Sequence, residues 1–427
     1  MNITIQARPL TQAAKAVLFF AFITAVPLPS QAAETGKTFT KGPYLQAPGQ
    51  NTMTVMWEST MSGDAVVHYG LDGKTDQTAS AKAPRVISDS ASQYYLYVAT
   101  ISGLKPGSTY TYSVEQHGTK SAPKKFRTFA QNPDKVVFIG YGDTRTNPDI
   151  HTDLARWFKQ YNPHFILHTG DLVAKGKQYD SWDKEFFAPL ANVIDEIPLL
   201  AAIGNHEDDG TNYLAQLHMP EHELWYSFDA GPVHFLALDF RYESASDPQY
   251  AFAEKDLMSS KAPWKIVFLH VPIFNIGGHN STWGHEAYLP LLHKARVDLV
   301  LSGHSHLYER FKPLTNAEDK GKWAITHITT GGGGAPLYNT VEHASHAAYV
   351  RTNHFLVFEA TQDTIKGQAV SREGKVFDEF AIKKTNGQYD PAFLAGAFDE
   401  DEVTEAIKKA PPSTGGAKGA KKGKKKE

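Results

Sequence analysis

Seven polar residues of this chain occupy the same kind of place: each closes, or soon follows, an apolar run. Asp143 follows VVFIG (136–140) in the stretch YGDTR, and Asp171 follows FILH in HTGDLV. Asn205 and His206 follow PLLAAIG in IGNHE, His270 ends the run in FLHVP, and His304 and His306 follow DLVLSG in LSGHSHLYER. Carboxylate, imidazole and amide oxygen are ligands that suit iron, manganese or zinc. The chain has 0 cysteines, which excludes disulfides, iron–sulfur clusters, thiolate zinc and cysteine nucleophiles. Singly, each motif has a plain reading: GD and GN pairs are often turns, and a histidine after an apolar run is often only hydrogen-bonded in a core. Leaving His206 aside, two Asp, one Asn and three His placed at strand ends in this order are a much less ordinary coincidence.

Bringing these residues together requires a particular scaffold. VVFIG, FILHTG (165–170), PLLAAIG (198–204), HFLALDF (234–240), KIVFLH (265–270) and DLVLSG (298–303) read as continuous apolar strands. Helical patterns such as DIHTDLARWFKQY (149–161) and HEAYLPLLHKA (285–295) lie between several of them. That alternation predicts a buried α/β sheet, in which sites form outside the carboxyl ends of the strands. WAITHITT (323–330) and HFLVFEA (354–360) close this domain near residue 385. TTGGGG (329–334) lacks the GK[ST] of a phosphate loop and reads as a turn that lets backbone pass close to the site. Upstream, residues 38–129 hold short alternating runs such as TMTVMWES (52–59) and STYTYSVEQ (108–116), about seven strands that suit a β-sandwich with Trp57 in its core.

The chain's 427 residues suit two or three domains, and 41% hydrophobic content suffices for their cores. Arg8 and Lys15, the apolar AVLFFAFITAVPLP (16–29) and the small Ser30, Ala32 and Ala33 read as a cleaved secretory signal over residues 1–33. The expected location is therefore secreted, periplasmic or cell-envelope, with no membrane span in the mature chain. Residues 386–427 read as a disordered tail, acidic and then lysine-rich: DEDEVTEAIKK (399–409) has the charge order of a short helix, and GGAKGAKKGKKKE (415–427) buries nothing. Its lysines suit an anionic surface, while a net charge of −3 gives no sign of specific nucleic-acid recognition.

The ordered set GD, GD, GNHE, H and GHSHLYER resembles the calcineurin-like metallophosphoesterases, and most their purple acid phosphatase branch. KGPYLQ (41–46), TVMWES and GLKPGSTYTYSV are similar to the fibronectin type III-like domain of that branch, so the resemblance spans roughly residues 40–385. It implies a fibronectin III-like sandwich (38–129) and an α/β metallophosphoesterase domain (134–385) of two mixed β-sheets flanked by helices. It further implies two metal ions (Fe, Zn or Mn) bridged by Asp171, the first also held by Asp143 and His306, the second by Asn205, His270 and His304. Such ions lower the pKa of water to give a hydroxide nucleophile. His206 is then placed to protonate the leaving oxygen, Glu207 to orient His206 from behind, and His279 to face substrate.

Two departures qualify the template. The superfamily's first motif has histidine two residues after the Asp, where this chain has Arg145; the purple branch has a metal-binding tyrosine three residues after the bridging Asp, where this chain has Ala174. The first metal thus keeps three protein ligands. Water, His151 or Tyr141 could complete its shell, Arg145 could instead clamp substrate phosphate, the ion could be weakly held, or Arg145 could turn to solvent. The expected function is an exported phosphoesterase acting on small phosphate esters, monoesters first. The alternatives are a surface binding protein with a weakened catalytic domain, and a phosphodiesterase or nucleotidase.

Overall fold

The computed structural model of the protein describes residues 38–89 and 92–410. Nine strands, with short edge pieces added to the seven expected, form the N-terminal sandwich. One sheet runs Phe39–Gln46, Thr52–Ser59, Ser92–Ser102, Arg85–Asp89 in space; the other runs Gln77–Ser80, Ala65–Leu71, Thr109–Gln116, Thr119–Lys120, with Lys124–Arg127 also on Thr109–Gln116. The period-2 alternation of the first sheet serves two cores at once. Leu45, Val55, Trp57 and Tyr97 point into the sandwich, where Trp57 stacks on Tyr97 at 5.3 Å. Their neighbours Tyr44, Met56, Leu96 and Val98 point the other way and join the core of the second domain. Around this seam Tyr44 OH donates to the Gln216 carbonyl (2.6 Å), Tyr112 OH to the Asp195 carbonyl (2.7 Å) and Gln46 Nε2 to the Leu199 carbonyl (3.1 Å). Lys41 Nζ, buried, donates to both Glu58 (3.1 Å) and Gln216 (3.0 Å).

The second domain holds two mixed seven-stranded sheets. In the first, the order is Leu199–Ala201, Phe165–His168, Val136–Tyr141, His354–Ala360, Thr364–Ser371, Val376–Thr385, Gln388–Tyr389. In the second it is Tyr226–Ala230, Val233–Leu238, Trp264–Leu269, Leu299–Ser302, Thr326–Thr330, Tyr308–Phe311, His346–Val350. The strands that read as continuous apolar runs are the parallel ones, buried on both faces. Phe138 of the first sheet stacks on Phe165 (5.4 Å) and Phe358 (4.7 Å) and meets Phe235 of the second edge-on (5.2 Å). Parallel pairing sets Tyr141 level with His168, and His168 level with Ala201, so three carboxyl ends stop at one height. The helical stretches are shorter than the sequence pattern: Pro148–Ala155 followed by a 3₁₀ turn Phe158–Tyr161, and Tyr288–Lys294.

One expectation is corrected. Residues 386–410 are no disordered tail but part of the second domain, which therefore runs past residue 385 to 410. Gln388–Tyr389 adds an edge strand, Phe398–Asp399 pairs with Leu314–Thr315, and Glu400–Lys409 is a helix whose Val403 and Ile407 are buried. Val403 and Ile407 lie four apart and so share a face. Asp399 caps the helix by accepting from Asp401 N–H at 2.9 Å, and acidic first-turn and basic last-turn residues complement its dipole. Polar composition masked a narrow apolar stripe. The signal over residues 1–33 and the lysine run lie outside the described residues.

Candidate metal centre

Where the carboxyl ends of the two sheets meet, the expected ligands converge. Asp143, Asp171 and His306 each offer a ligand atom within 4.8 Å of the others, all buried. Beside them His270 Nε2 lies 3.0 Å from Asn205 Oδ1, 3.3 Å from Asp171 Oδ1 and 3.2 Å from His304 Nδ1. Asp143 (φ 59°), Asp171 (φ 57°) and His304 (φ 66°) all hold left-handed backbone, which Asp and His tolerate better than most residues and which turns each side chain off its strand. Asp171 is so closely packed that a Cβ on Gly204 would sit 2.2 Å from its backbone nitrogen.

Proton positions decide whether a cation fits. His270 Nδ1 is 2.9 Å from the Thr169 carbonyl, an acceptor only, so Nδ1 carries the ring proton and Nε2 presents a lone pair. That lone pair faces the carboxylate of Asp171 and the unprotonated carbonyl of Asn205, a ring of acceptors without a proton. His306 repeats the device: Nδ1 donates to the Pro336 carbonyl at 2.8 Å, turning Nε2 toward Asp143 Oδ1 at 3.4 Å. Asp143 Oδ1 is fully buried without a hydrogen-bond partner, while Oδ2 accepts from His304 N–H at 2.9 Å. An orphaned buried carboxylate oxygen and converging imidazole lone pairs fit a metal ion. Burial alone would raise the Asp171 carboxyl, but the fixed charge of Arg145 and the hydrogen bond from His206 N–H work the other way and it lies below its ordinary value. Burial, then the neighbouring His270 and His279, push His304 down to about 2, keeping its ring neutral.

The remaining site residues are placed as follows. His206 donates from Nδ1 to the Ala174 carbonyl at 2.8 Å, leaving Nε2 3.8 Å from Asp171 Oδ2 on a side chain 31% exposed. His279 stacks on His304 at 4.5 Å and shares a hydrogen bond with Tyr338 OH at 2.9 Å, so it is at the centre's edge. Glu207 is at the centre too, but the expectation that it orients His206 is corrected. Its carboxylate accepts instead from the backbone N–H of Gly204 (2.7 Å), Asp171 (2.9 Å), Leu172 (2.8 Å) and Val173 (3.3 Å). It therefore fixes the Asp171 loop against the Asn205 turn. Arg145 points inward: Nε donates to Asp171 Oδ2 at 3.1 Å and Nη2 to His306 Nε2 at 3.2 Å, which removes the reading that turned it to solvent. His151 and Tyr141 do not complete the first metal's shell. Tyr141 OH donates to His151 Nε2 at 2.9 Å, and His151 Nδ1 to the Glu185 carbonyl at 2.9 Å, so both side chains are engaged with partners of their own.

The glycine run passes under Asp143: Gly333 N–H donates to the Gly142 carbonyl (2.9 Å) and Ala335 N–H to the Asp143 carbonyl (2.8 Å). A Cβ on Gly331 would lie 2.2 Å from the Ser305 carbonyl oxygen. Sequence reasoning missed the orienting carbonyls of Thr169, Ala174 and Pro336, because any residue type supplies them. It also missed Tyr338, which stacks on His306 at 4.4 Å from an irregular loop without a motif.

Comparison with known proteins bears on both domains. A family model described as calcineurin-like phosphoesterase matches residues 136–308, and one for the purple acid phosphatase N-terminal domain matches residues 41–128. Purple acid phosphatase 21 of Arabidopsis thaliana is 30% identical, over 68% of this chain and 70% of its own. Acid phosphatase type 7 of Mus musculus is 27% identical over 64% of this chain and 70% of its own. The structure of purple acid phosphatase PPD1 from yellow lupin seeds superposes with a TM-score of 0.71 at 21% identity, covering 84% of this chain and 76% of that one. With both domains matched in this way, the chain belongs to the purple acid phosphatase family, metal-dependent hydrolases of phosphoric esters.

Proposed function

We propose that the protein hydrolyses small phosphate esters, monoesters first, outside the cytoplasm. The observation that carries this reading is the proton bookkeeping: two histidines, each with Nδ1 spent on a carbonyl, aim lone pairs at buried carboxylates. Asp171, Asn205, His270 and His304 would hold one ion, and Asp143, Asp171 and His306 form a neighbouring set of cation-facing groups. Bound metal supplies Lewis acidity toward water and toward the phosphoryl oxygens.

The chain's own groups do the rest. His206 is the acid: with Nδ1–H held by the Ala174 carbonyl, Nε2 is the ring position that can hand a proton to the leaving oxygen. Arg145 keeps one N–H on each η nitrogen beyond those given to Thr146 and His306, a pair suited to phosphoryl oxygens. His279, braced by Tyr338, faces the same space beside His304. Export is supported by the apolar run at 16–29, with Arg8 and Lys15 before it and the small Ser30, Ala32 and Ala33 after it. The test is turnover of chromogenic phosphate mono- and diesters by the purified chain, with and without chelator. Monoester turnover that chelator abolishes and added metal restores is expected; no metal-dependent turnover of either would refute the reading.

A further inference from the structure

The two halves of the centre differ in one respect that the ligand set alone conceals. His270 Nε2 faces Asn205 Oδ1 and Asp171 Oδ1, both acceptors, so that half offers a cation site with no cation of its own. In the other half a guanidinium already holds the ligand atoms. Arg145 Nε donates to Asp171 Oδ2 at 3.1 Å and Nη2 to His306 Nε2 at 3.2 Å. These are the faces of Asp171 and His306 that an ion beside Asp143 would need, and arginine cannot give up its charge to make way. The side chain is only 14% exposed, and its loop is pinned. One Glu185 carboxylate oxygen accepts from Thr146 N–H and from Ala174 N–H, each at 2.8 Å, tying the Arg145 loop to the Asp171 loop. Ala174, on that second loop, brings no ligand group.

We propose that Arg145 is the built-in cation of this centre: it stands in the Asp143–Asp171–His306 half, so the chain holds one tightly bound divalent ion, at Asp171, Asn205, His270 and His304. The guanidinium then meets substrate phosphate from the side where a second ion would otherwise do so. This rests on the metal-dependent hydrolysis proposed above and narrows it to a hybrid of one ion and one arginine. A second divalent ion would have to enter beside a fixed positive charge and take both ligand atoms from it, which weakens its binding steeply.

The experiment is Mn²⁺ binding to the metal-stripped full chain, followed by equilibrium dialysis and by electron paramagnetic resonance. The wild type is expected to bind one Mn²⁺ per chain and to give the signal of an isolated ion. Arg145→Met, which keeps length without charge, and Arg145→His, which adds a ligand, are expected to take up a second Mn²⁺ at least a hundredfold more tightly than the wild type does. Arg145→His should also show a signal from two magnetically coupled ions. Arg145→Lys, which keeps the charge, should stay at one, and serves as the second variant should removal of the charge prevent folding. A wild type that binds two coupled Mn²⁺ overturns the proposal, as do Met and His variants that stay at one. A wild type that binds one Mn²⁺ yet turns over no ester upholds the single-ion centre and refutes the hydrolase reading, so the two failures are separable.

Discussion

Replacing Glu207 with glutamine tests how the centre is held. The carboxylate is fully buried and divides its acceptance evenly: Oε2 takes the N–H groups of Gly204 (2.7 Å) and Asp171 (2.9 Å), and Oε1 those of Leu172 (2.8 Å) and Val173 (3.3 Å). Glutamine has nearly the same shape but can accept at one oxygen only. Its NH₂ must then face two backbone N–H groups, whichever way it is turned. Two buried N–H groups are left without an acceptor at about 1–3 kcal/mol each, so the loss is about 2–6 kcal/mol. For a folded unit of this size that lowers the melting temperature by roughly 3–8 °C. The same loops carry Asp171 and Asn205, so metal affinity should fall about 10–100-fold, the usual consequence of removing a group that positions ligands. Melting of the metal-free protein, hydrogen exchange at the Gly204 and Asp171 amides, and metal titration read the three effects. A Glu207→Gln protein that melts within 1 °C of wild type, with both amides equally protected, would refute the role assigned to this carboxylate.

Three further outcomes are expected. His206→Ala should lower kcat about 10²–10⁴-fold with metal content unchanged; loss of metal in parallel would make it a ligand or a prop and not the acid. Iron-loaded protein should lack a tyrosinate charge-transfer band, since Ala174 has no phenol, Tyr141 OH is given to His151 and Tyr338 OH is hydrogen-bonded to His279; a strong visible band would contradict this. His234 is 2.8 Å from Asp229 and 2.7 Å from Asp256. Burial works against its protonation, but the two carboxylates raise it from 6.5 to about 9. A raised folded-state pKa gives stability that is full below 6.5 and is lost as pH climbs through 9, here about 3 kcal/mol. Denaturant melts of wild type and His234→Gln should therefore differ most at pH 6 and converge near pH 10; a constant difference would show that the charge is not what counts.

Much of this molecule is legible in its sequence because buried parallel strands are written as apolar runs, and the residue that ends such a run cannot hide. Asp143, Asp171, Asn205, His270, His304 and His306 are visible for that reason. What orients them is not. Carbonyls of Thr169, Ala174 and Pro336 fix the histidine tautomers, and a carbonyl has no letter in the sequence. Glu207 was visible, but its partners are four amides and not the adjacent His206. The helix Glu400–Lys409 reads as charged because its apolar stripe is only Val403 and Ile407, and only the surface it meets reveals that two residues suffice. The direction of Arg145 also depends on a fold-level fact, the convergence of Asp171 and His306 beside it.

The double-faced strands of the N-terminal sheet have a consequence for how this protein comes apart. Tyr44, Met56, Leu96 and Val98 are interior residues of a domain to which their own chain segment does not belong. Residue 130 is thus a border in the order of synthesis but not in thermodynamics. Neither part can melt without stripping the other of a wall, so heat should be absorbed in one transition and not two. A sandwich excised by itself would carry an uncovered apolar sheet face, the kind of surface through which chains aggregate. Tyr44 on that face and Tyr112 on the other sheet also hold the Gln216 and Asp195 carbonyls, so the sandwich serves as a retaining wall for the hydrolase and not as a freely exchangeable module.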